Sequence, residues 1–396
     1  MSAASKEIPD RIELPEGLMV RTPWLAHANA TTTLNLVVPP DYEARMAGSL
    51  GQSEVLGIQR ILTLARQGAH FSVTWDEAFS MRVTGSASIF PLLAVLLLIR
   101  RSSHQVLRAN GTAEAFLIER IRKSILAHKL ARDLFSDSET IICADSSGTA
   151  LPSDLYDAST LRLRSREDFE TLVVDALMAQ VSEPSQSSAI YGRAGALGVV
   201  LAELFENTDM HGRLDTAGRP LGEDSLRGLV FKRIKVEVPV LQPLKGAPLT
   251  RLLDCFEASV FDSGVGYFAS FTRGNIDQTT SLEEEWKVLH NCLERHYYPG
   301  LLDNRAGHRA LGLYEVLRGL QSLHGRIEIR TGRLFAYRTF LHGELQARMK
   351  PRAAYAHFAW PVPKLLDVEK RYRAHPSEHE FLVGSSVRIV IPLSDS

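Results

Sequence analysis

The sequence predicts an α+β protein of two domains, and three observations lead to this fold class. The chain has 396 residues, which is enough for two ordinary domains. Its C-terminal part contains β-rich runs (GLVFKRIKVEVPV, RIEIRTG and SSVRIVIPL) that are separate from its helical runs. Its N-terminal part mixes shorter strands and helices. We therefore predict a smaller N-terminal α/β domain and a larger C-terminal domain.

The first domain is predicted over 42–150, after a poorly ordered segment over 1–41 that is rich in proline and threonine. Its patterns predict a helix over 53–67, a strand in HFSVTW, an extended piece near FSMRVT, an apolar helix ending at Arg100, a short strand in HQVLRAN and an amphipathic helix over 112–134. The turn-rich loop SSGTALPSD is the expected domain boundary.

The second domain is predicted over 165–396. Ser165, followed three residues later by Asp168, forms a capping box that predicts a helix start. A further helix is expected over 193–210, followed by strands in GLVFKRIKVEVPV and FEASVFD. The helix RALGLYEVLRGLQSL ends before Gly325, as a helix with a C-terminal glycine does, and SSVRIVIPL is the last strand.

Composition narrows the class of protein. The 45 Lys and Arg nearly balance the 46 Asp and Glu, so charge gives no support for a nucleic-acid partner, although that class stays open. Cys143, Cys255 and Cys292 lack metal-ligand spacing and suit a reducing compartment. The apolar run IFPLLAVLLLI is too short to span a bilayer, and no secretory signal is visible. We expect a cytoplasmic protein without a membrane span.

Polar residues recur once per turn on a strongly apolar helix. In GALGVVLAELFENTDMHG, Glu203, Asn207 and His211 follow one another at intervals of four residues. Such a helix is normally buried, where a carboxylate is costly unless it is paired. The pair Glu203 and Asn207 therefore predicts a functional site, whereas His211 is better explained by capping or packing.

Three further motifs follow in order. VFDSGVGYF places Asp262 at a strand end, before a Gly-x-Gly turn that lets the backbone approach a ligand. GHRALGL opens a helix, and helix N-termini favour phosphate. GSSVRIVIP opens the last strand with Ser385. Each motif is weak alone, and their order carries the information.

The ordered set E-x-x-x-N, D-x-G-x-G, a Gly-Leu helix start and G-[ST] resembles the Bergerat-type ATP-binding fold of the GHKL ATPase superfamily. DNA gyrase, the chaperone ATPases, sensor histidine kinases and the mismatch-repair protein MutL share that fold. The resemblance covers about 165–396 and implies a sandwich with a mixed, mostly antiparallel sheet under helices. AELFENTDMHG is similar both to MutL-type versions and to anti-sigma-factor serine kinases, where a His follows the Asn by four residues.

The resemblance implies a binding site for ATP and Mg²⁺. On the base side, Asp262 would accept a hydrogen bond from the adenine amino group. Gly264 and Gly266 would let the chain pass under the nucleotide. Ser385 would hold Asp262 and an ordered water near the adenine.

On the phosphate side, the resemblance implies that Asn207 coordinates Mg²⁺ and that Glu203 activates the attacking water as general base. Gly312, with Leu313, would begin the helix beside the phosphates. The lid motif departs from the family pattern G-x-G-L-G-L, because HRALGL lacks two of its glycines. Either lid closure differs from that of the family, or Arg309 and His308 hold the phosphates instead.

Two insertions, at about 275–306 in the lid and at 335–382, add to the family pattern. The second mixes basic and aromatic residues and is better explained as a folded excursion or a partner surface than as a nucleic-acid platform. The segment 42–150 is weakly similar to the STAS domains found beside anti-sigma kinases. Ser86 and Ser88 lie near the position of the serine that such domains carry for phosphorylation.

The resemblance implies Mg²⁺-dependent ATP hydrolysis coupled to a conformational change and to contacts with a protein partner. Two alternatives stay open: a serine protein kinase or partner-switching regulator, and a non-hydrolysing ATP sensor in a multiprotein system such as phage defence. Transfer of a phosphoryl group to His128 is not expected, because the sequence around His128 lacks the acidic neighbour and the proline that follow the phosphoacceptor histidine of a sensor kinase. Many related proteins dimerise, so a homodimer is one expectation.

Overall fold

The computed structural model describes residues 33–37, 51–76, 91–99, 102–107, 122–123, 125, 138–145, 151–178, 187–222, 225–239, 250–293, 312–340, 365–369 and 375–393. Within these ranges the chain forms ten strands and seven helices. The strands are β1 (Thr33–Val37), β2 (His70–Asp76), β3 (Ser102–Leu107), β4 (Ser138–Ala144), β5 (Leu226–Pro239), β6 (Thr250–Asp262), β7 (Arg326–Gly332), β8 (Leu334–Thr339), β9 (Leu366–Asp367) and β10 (Leu382–Pro392). The helices are α1 (Gly51–Arg66), α2 (Pro91–Leu98), α3 (Arg166–Met178), α4 (Ser187–His211), α5 (Gly266–Thr272), α6 (Leu282–Leu293) and α7 (Gly312–Ser322).

The strands form two sheets. The larger has seven strands in the order β4-β5-β6-β10-β7-β8-β9, and its neighbouring strands pair antiparallel. The smaller has the order β1-β2-β3 and is parallel. The α+β fold class is therefore confirmed at this level, with an antiparallel sheet as its main element.

The helices α3, α4, α6 and α7 cover one face of the larger sheet. Every second residue of β6, namely Phe256, Ala258 and Val260, enters the core formed with these helices. This alternation follows from the two-residue repeat of a strand and places Asp262 on the same face. The predicted capping box at the start of α3 is confirmed, because the Ser165 N–H donates to Asp168 Oδ2 over 3.0 Å and the Asp168 N–H to Ser165 Oγ over 3.3 Å.

The opposite face of the larger sheet is covered by the N-terminal helices. Residues of α1 and α2 share one apolar cluster with Leu226, Val230 and Phe261 of the sheet. Ile58 of α1 is fully buried there. The larger sheet is thus buried on both faces, with α4 on one side and α1 on the other.

The strand β4 extends the larger sheet beyond the predicted boundary. The sequence analysis predicted no strand here and included residues 138–144 in the 42–150 domain, whereas the structure pairs β4 with β5, with Ile141 opposite Leu229. The physical reason is burial on both faces, because Ile141 and Cys143 enter the core with α3 and α4 while Ile142 and Ala144 enter the cluster with α1.

Several other predictions can be compared with the described ranges. The elements expected at 53–67, in HFSVTW, in HQVLRAN and at 193–210 are confirmed as α1, β2, β3 and α4, although α4 begins earlier. The piece near FSMRVT and most of the helix expected over 112–134 lie outside the described residues. No described helix combines the length and the apolar character that a membrane crossing requires.

Replacing Ile58 by Ala tests whether α1 packs on the larger sheet. Ile58→Ala should lower the free energy of unfolding by about 2–5 kcal/mol, because it leaves a cavity in the cluster with Phe261. Leu252→Ala is the control, since Leu252 is 62% exposed on β6, and it should change stability by less than about 0.5 kcal/mol. Urea denaturation measures both, and equal small effects would contradict the packing described.

Candidate functional site

The C-terminal end of α4 meets the end of β6. The N–H of Gly212, which directly follows α4, donates to the carbonyl of Thr208 over 2.8 Å. A Cβ on Gly212 would lie 2.6 Å from the Cβ of Asp262 and 2.8 Å from the Thr208 carbonyl oxygen. Only glycine therefore fits where the chain leaving the helix passes the aspartate. This contact brings the last turn of α4 to the end of β6. That turn begins just after Asn207.

Asp262 is 4% exposed, and its carboxylate accepts hydrogen bonds from Gly264 and Ser385. Oδ1 accepts from the N–H of Gly264 over 2.8 Å, and Oδ2 accepts from the hydroxyl of Ser385 over 2.5 Å. Ser385 lies directly opposite Asp262 in the β10–β6 pairing. Burial raises the pKa of Asp262, and the bonds from Ser385 and Gly264 oppose that rise. Because a carboxylate can accept about four hydrogen bonds, it keeps capacity for a further donor.

Glycines from three segments surround this carboxylate, and we call Gly212, Gly264 and Gly384 the glycine cradle. A Cβ on Gly264 would lie 2.8 Å from Asp262 Oδ1 and 2.7 Å from the Cα of Gly212. Gly384 has a φ of +71°, and a Cβ there would lie 1.9 Å from the carbonyl oxygen of Asp262. The cradle thus packs backbone from after α4, after β6 and within β10 against one acidic side chain.

Asn207 and Glu203 lie on α4, about one and two turns before the cradle, respectively. Glu203 is 6% exposed, and its Oε1 accepts a hydrogen bond from the guanidinium of Arg166, the first residue of α3. Burial raises the pKa of Glu203, the Arg166 charge opposes this rise, and the carboxylates of Glu206 and of Glu315 on α7 add to it. The Nδ2 of Asn207 donates to the Glu203 carbonyl over 2.8 Å, so the amide oxygen is the atom that could bind a cation.

A fully buried arginine stands beside the cradle. Arg227 lies opposite Asp262 in the β5–β6 pairing, and its charge helps to offset the burial of that carboxylate. Its Nη1 donates to Asp209 Oδ1 over 2.9 Å and to Tyr156 Oη over 2.8 Å, and its Nη2 donates to Asp145 Oδ1 over 2.6 Å. These bonds tie α4 and the end of β4 to the strand beside the site.

Sequence reasoning missed two parts of this site. Arg227 occupies an inward position of β5, two residues before Leu229, and a charge at a core position of a strand is a signal that could have been recognised. Arg166 carried no such signal, because only the packing of α3 on α4 brings it to Glu203.

The remaining predicted residues have different surroundings. Gly266 begins α5 with a φ of +78°, and a Cβ on it would lie 2.8 Å from Thr331 Oγ1. Gly312 begins α7, and Leu313 is buried in the core that α7 shares with α4. His211 is exposed at the end of α4. Five further predicted positions lie outside the described residues: Ser86, Ser88, His128, His308 and Arg309.

A second group of metal-type ligands lies near β9. The ligand atoms of Asp367, Glu369 and His379 lie within 4.8 Å of one another. The buried Asp367 carboxylate already accepts from the N–H groups of Glu369 and Ser377, and His379 Nε2 lies 3.3 Å from it. Burial and the nearby Arg330 lower the pKa of His379. These contacts hold Ser377 and His379 against β9, so they give the cluster a structural role.

Comparisons with known proteins add no family. No protein-family model matches the chain, and no curated protein or solved structure is significantly similar to it.

Replacing Gly384 by Ala tests how tightly the cradle encloses Asp262. Gly218→Ala is the matched control, because Gly218 has a φ of +77° and a Cβ there would meet nothing within 4 Å. We expect the control to lose about 1–2 kcal/mol of unfolding free energy from backbone strain. Gly384→Ala should lose about 1–3 kcal/mol more, from the clash with the Asp262 carbonyl. Equal losses in urea denaturation would show that the cradle is looser than described.

Proposed function

We propose that this chain binds ATP with Mg²⁺ at the glycine cradle, in the manner of GHKL ATPases. The observation that carries the proposal is the Asp262 carboxylate, buried between glycine backbones of three segments and still able to accept a further donor. The exocyclic amino group of adenine is such a donor. The absence of side chains on the cradle suits the close approach of backbone to a flat ring.

The purely structural explanation of Asp262 is weaker. Asparagine could accept the Gly264 N–H and donate to Ser385, and so would form the same turn without burying a charge. Burial raises the pKa of Asp262, so the carboxylate itself is disfavoured at this position. Perturbed acidic groups of this kind cluster at functional sites, which supports a binding role.

The phosphate side of the proposal rests on α4 and α7. The two helices pack closely, since a Cβ on Gly319 of α7 would lie 2.7 Å from Val200 of α4. The Glu315 carboxylate in the first turn of α7 acts electrostatically on Glu203, so that helix start lies near Glu203. Asn207 would bind Mg²⁺ through its amide oxygen, and Glu203 would activate the attacking water. Both residues would act on the phosphate end of the nucleotide, which lies further from Asp262 than the adenine ring does.

Hydrolysis by this site requires a rearrangement. The Arg166 guanidinium binds Glu203 Oε1, so it occupies an oxygen that would receive the proton of the attacking water, and its charge opposes the rise in basicity that burial gives this carboxylate. Arg166 is 55% exposed, so its side chain can move away without unpacking the core. The ion pair favours, as second candidate, an ATP sensor that holds ATP without rapid hydrolysis.

Asp262→Asn tests ATP binding. Because a hydrogen bond to a charged group contributes about 1.5–3 kcal/mol, the affinity for Mg-ATP should fall roughly 10- to 100-fold in calorimetry. Asp254→Asn is the control, since Asp254 lies on the same strand but pairs with Arg233. The variant should stay folded.

The same substitution should change how the free energy of unfolding depends on pH. Since burial raises the pKa of Asp262, the wild-type protein loses stability as pH rises through that pKa. Asp262→Asn cannot ionise, so its free energy of unfolding should increase relative to that of the wild type over this range.

Two results would contradict this account of Asp262. One is wild-type protein that does not bind Mg-ATP, and the other is an Asp262→Asn variant that binds it with unchanged affinity.

Glu203→Gln tests the proposed general base. It should keep affinity for Mg-ATP and lose roughly 10²- to 10⁴-fold in turnover, measured as phosphate release. Glu237→Gln is the control, because Glu237 is exposed on β5, ten residues beyond Arg227. Turnover that is equal in Glu203→Gln and wild type would remove Glu203 from the mechanism. Binding without turnover in the wild type would favour the second candidate.

A further inference from the structure

The helix α1 presents three polar residues to the larger sheet, and we call Gln59, Thr63 and Arg66 the polar stripe. Their spacing of four and three residues places them on one side of the helix. Gln59 and Thr63 are 0% exposed, within a cluster that is otherwise apolar. Buried polar groups are unfavourable unless they are hydrogen-bonded, so their partners are informative.

Each residue of the stripe bonds to a segment that forms the candidate site. Gln59 Oε1 accepts from the hydroxyl of Ser386 over 2.9 Å, and Thr63 Oγ1 accepts from the N–H of Val383 over 2.9 Å. These two partners flank Gly384 and Ser385 in β10. Arg66 Nη1 donates to the carbonyl of Gly264 over 2.9 Å.

The stripe therefore fixes both segments that hydrogen-bond the Asp262 carboxylate. Ser385 donates its hydroxyl to Asp262, and Gly264 donates its N–H. Gly264 has no side chain to restrict its backbone, so a bond to its carbonyl has a large effect on its conformation. The contact comes from the face of the sheet opposite α4, from a helix about 200 residues away along the chain.

We propose that Arg66 is a positioning residue of the nucleotide site and that the polar stripe couples the docking of α1 to nucleotide binding. This inference rests on the proposed function. Arg66 acts through Gly264, and the other two residues act through β10; none of them touches the nucleotide. Because coupling is reciprocal, nucleotide at the cradle must strengthen the docking of α1 by the factor that α1 docking adds to nucleotide affinity.

Arg66→Ala tests the positioning role. Calorimetry with Mg-ATP should show affinity reduced roughly 5- to 20-fold, within the usual range of coupling between sites. Gln67→Ala is the control, since Gln67 adjoins Arg66 and its N–H bond to the Thr63 carbonyl, over 3.0 Å, is kept in the variant. It should bind Mg-ATP as the wild type does. Arg66→Lys keeps a donor and should recover part of the affinity, which a loss of packing alone would not predict.

The outcomes separate the two proposals. Wild-type affinity in Arg66→Ala, beside a wild type that binds Mg-ATP, overturns this inference and leaves the proposed function intact. No binding by the wild type overturns both.

Hydrogen exchange tests the reciprocal effect without any variant. Binding of Mg-ATP to the wild-type protein should slow amide exchange over 59–66, the part of α1 that carries the stripe. Exchange that stays unchanged at saturating Mg-ATP, with binding verified by calorimetry on the same sample, overturns the coupling.

Discussion

The hydrogen bonds that hold the buried Asp262 carboxylate constrain the rest of the site. A carboxylate that is 4% exposed needs donors close by, and Ser385 and Gly264 supply them from two different strand ends. Those donors can approach only because neighbouring positions lack a side chain, as at Gly212 and Gly384. The glycine positions, the pairing of β6 with β10 and the point where α4 ends are therefore linked.

The site lies at one end of a sheet that is buried on both faces. The helix α4 carries Glu203 and Asn207 on one face, and α1 holds the cradle segments from the other. Arg227 adds a buried positive charge beside Asp262 and joins α4 to β5. The same strand ends are therefore bonded from both faces of the sheet, and the coupling proposed between α1 and the site rests on these bonds.

Local patterns in the sequence predicted much of this architecture. The capping box at Ser165, the helix carrying Glu203 and Asn207 and the strand ending at Asp262 depend on neighbouring residues, and they were found. The pairing of β4, the Arg166–Glu203 ion pair and the docking of α1 depend on residues far apart in sequence, which periodicity does not encode. The roles of Arg309 and of the ATP and Mg²⁺ ligands stay predictions.

The central claim is that a purine lies against the glycine cradle. Photolabelling with 8-azido-ATP, followed by peptide mapping, tests it most directly because the azide sits on the base. The account predicts label on peptides that contain 207–212 or 262–266, removed by competing Mg-ATP. Label that is absent from both segments, or that persists there in excess Mg-ATP, would contradict it.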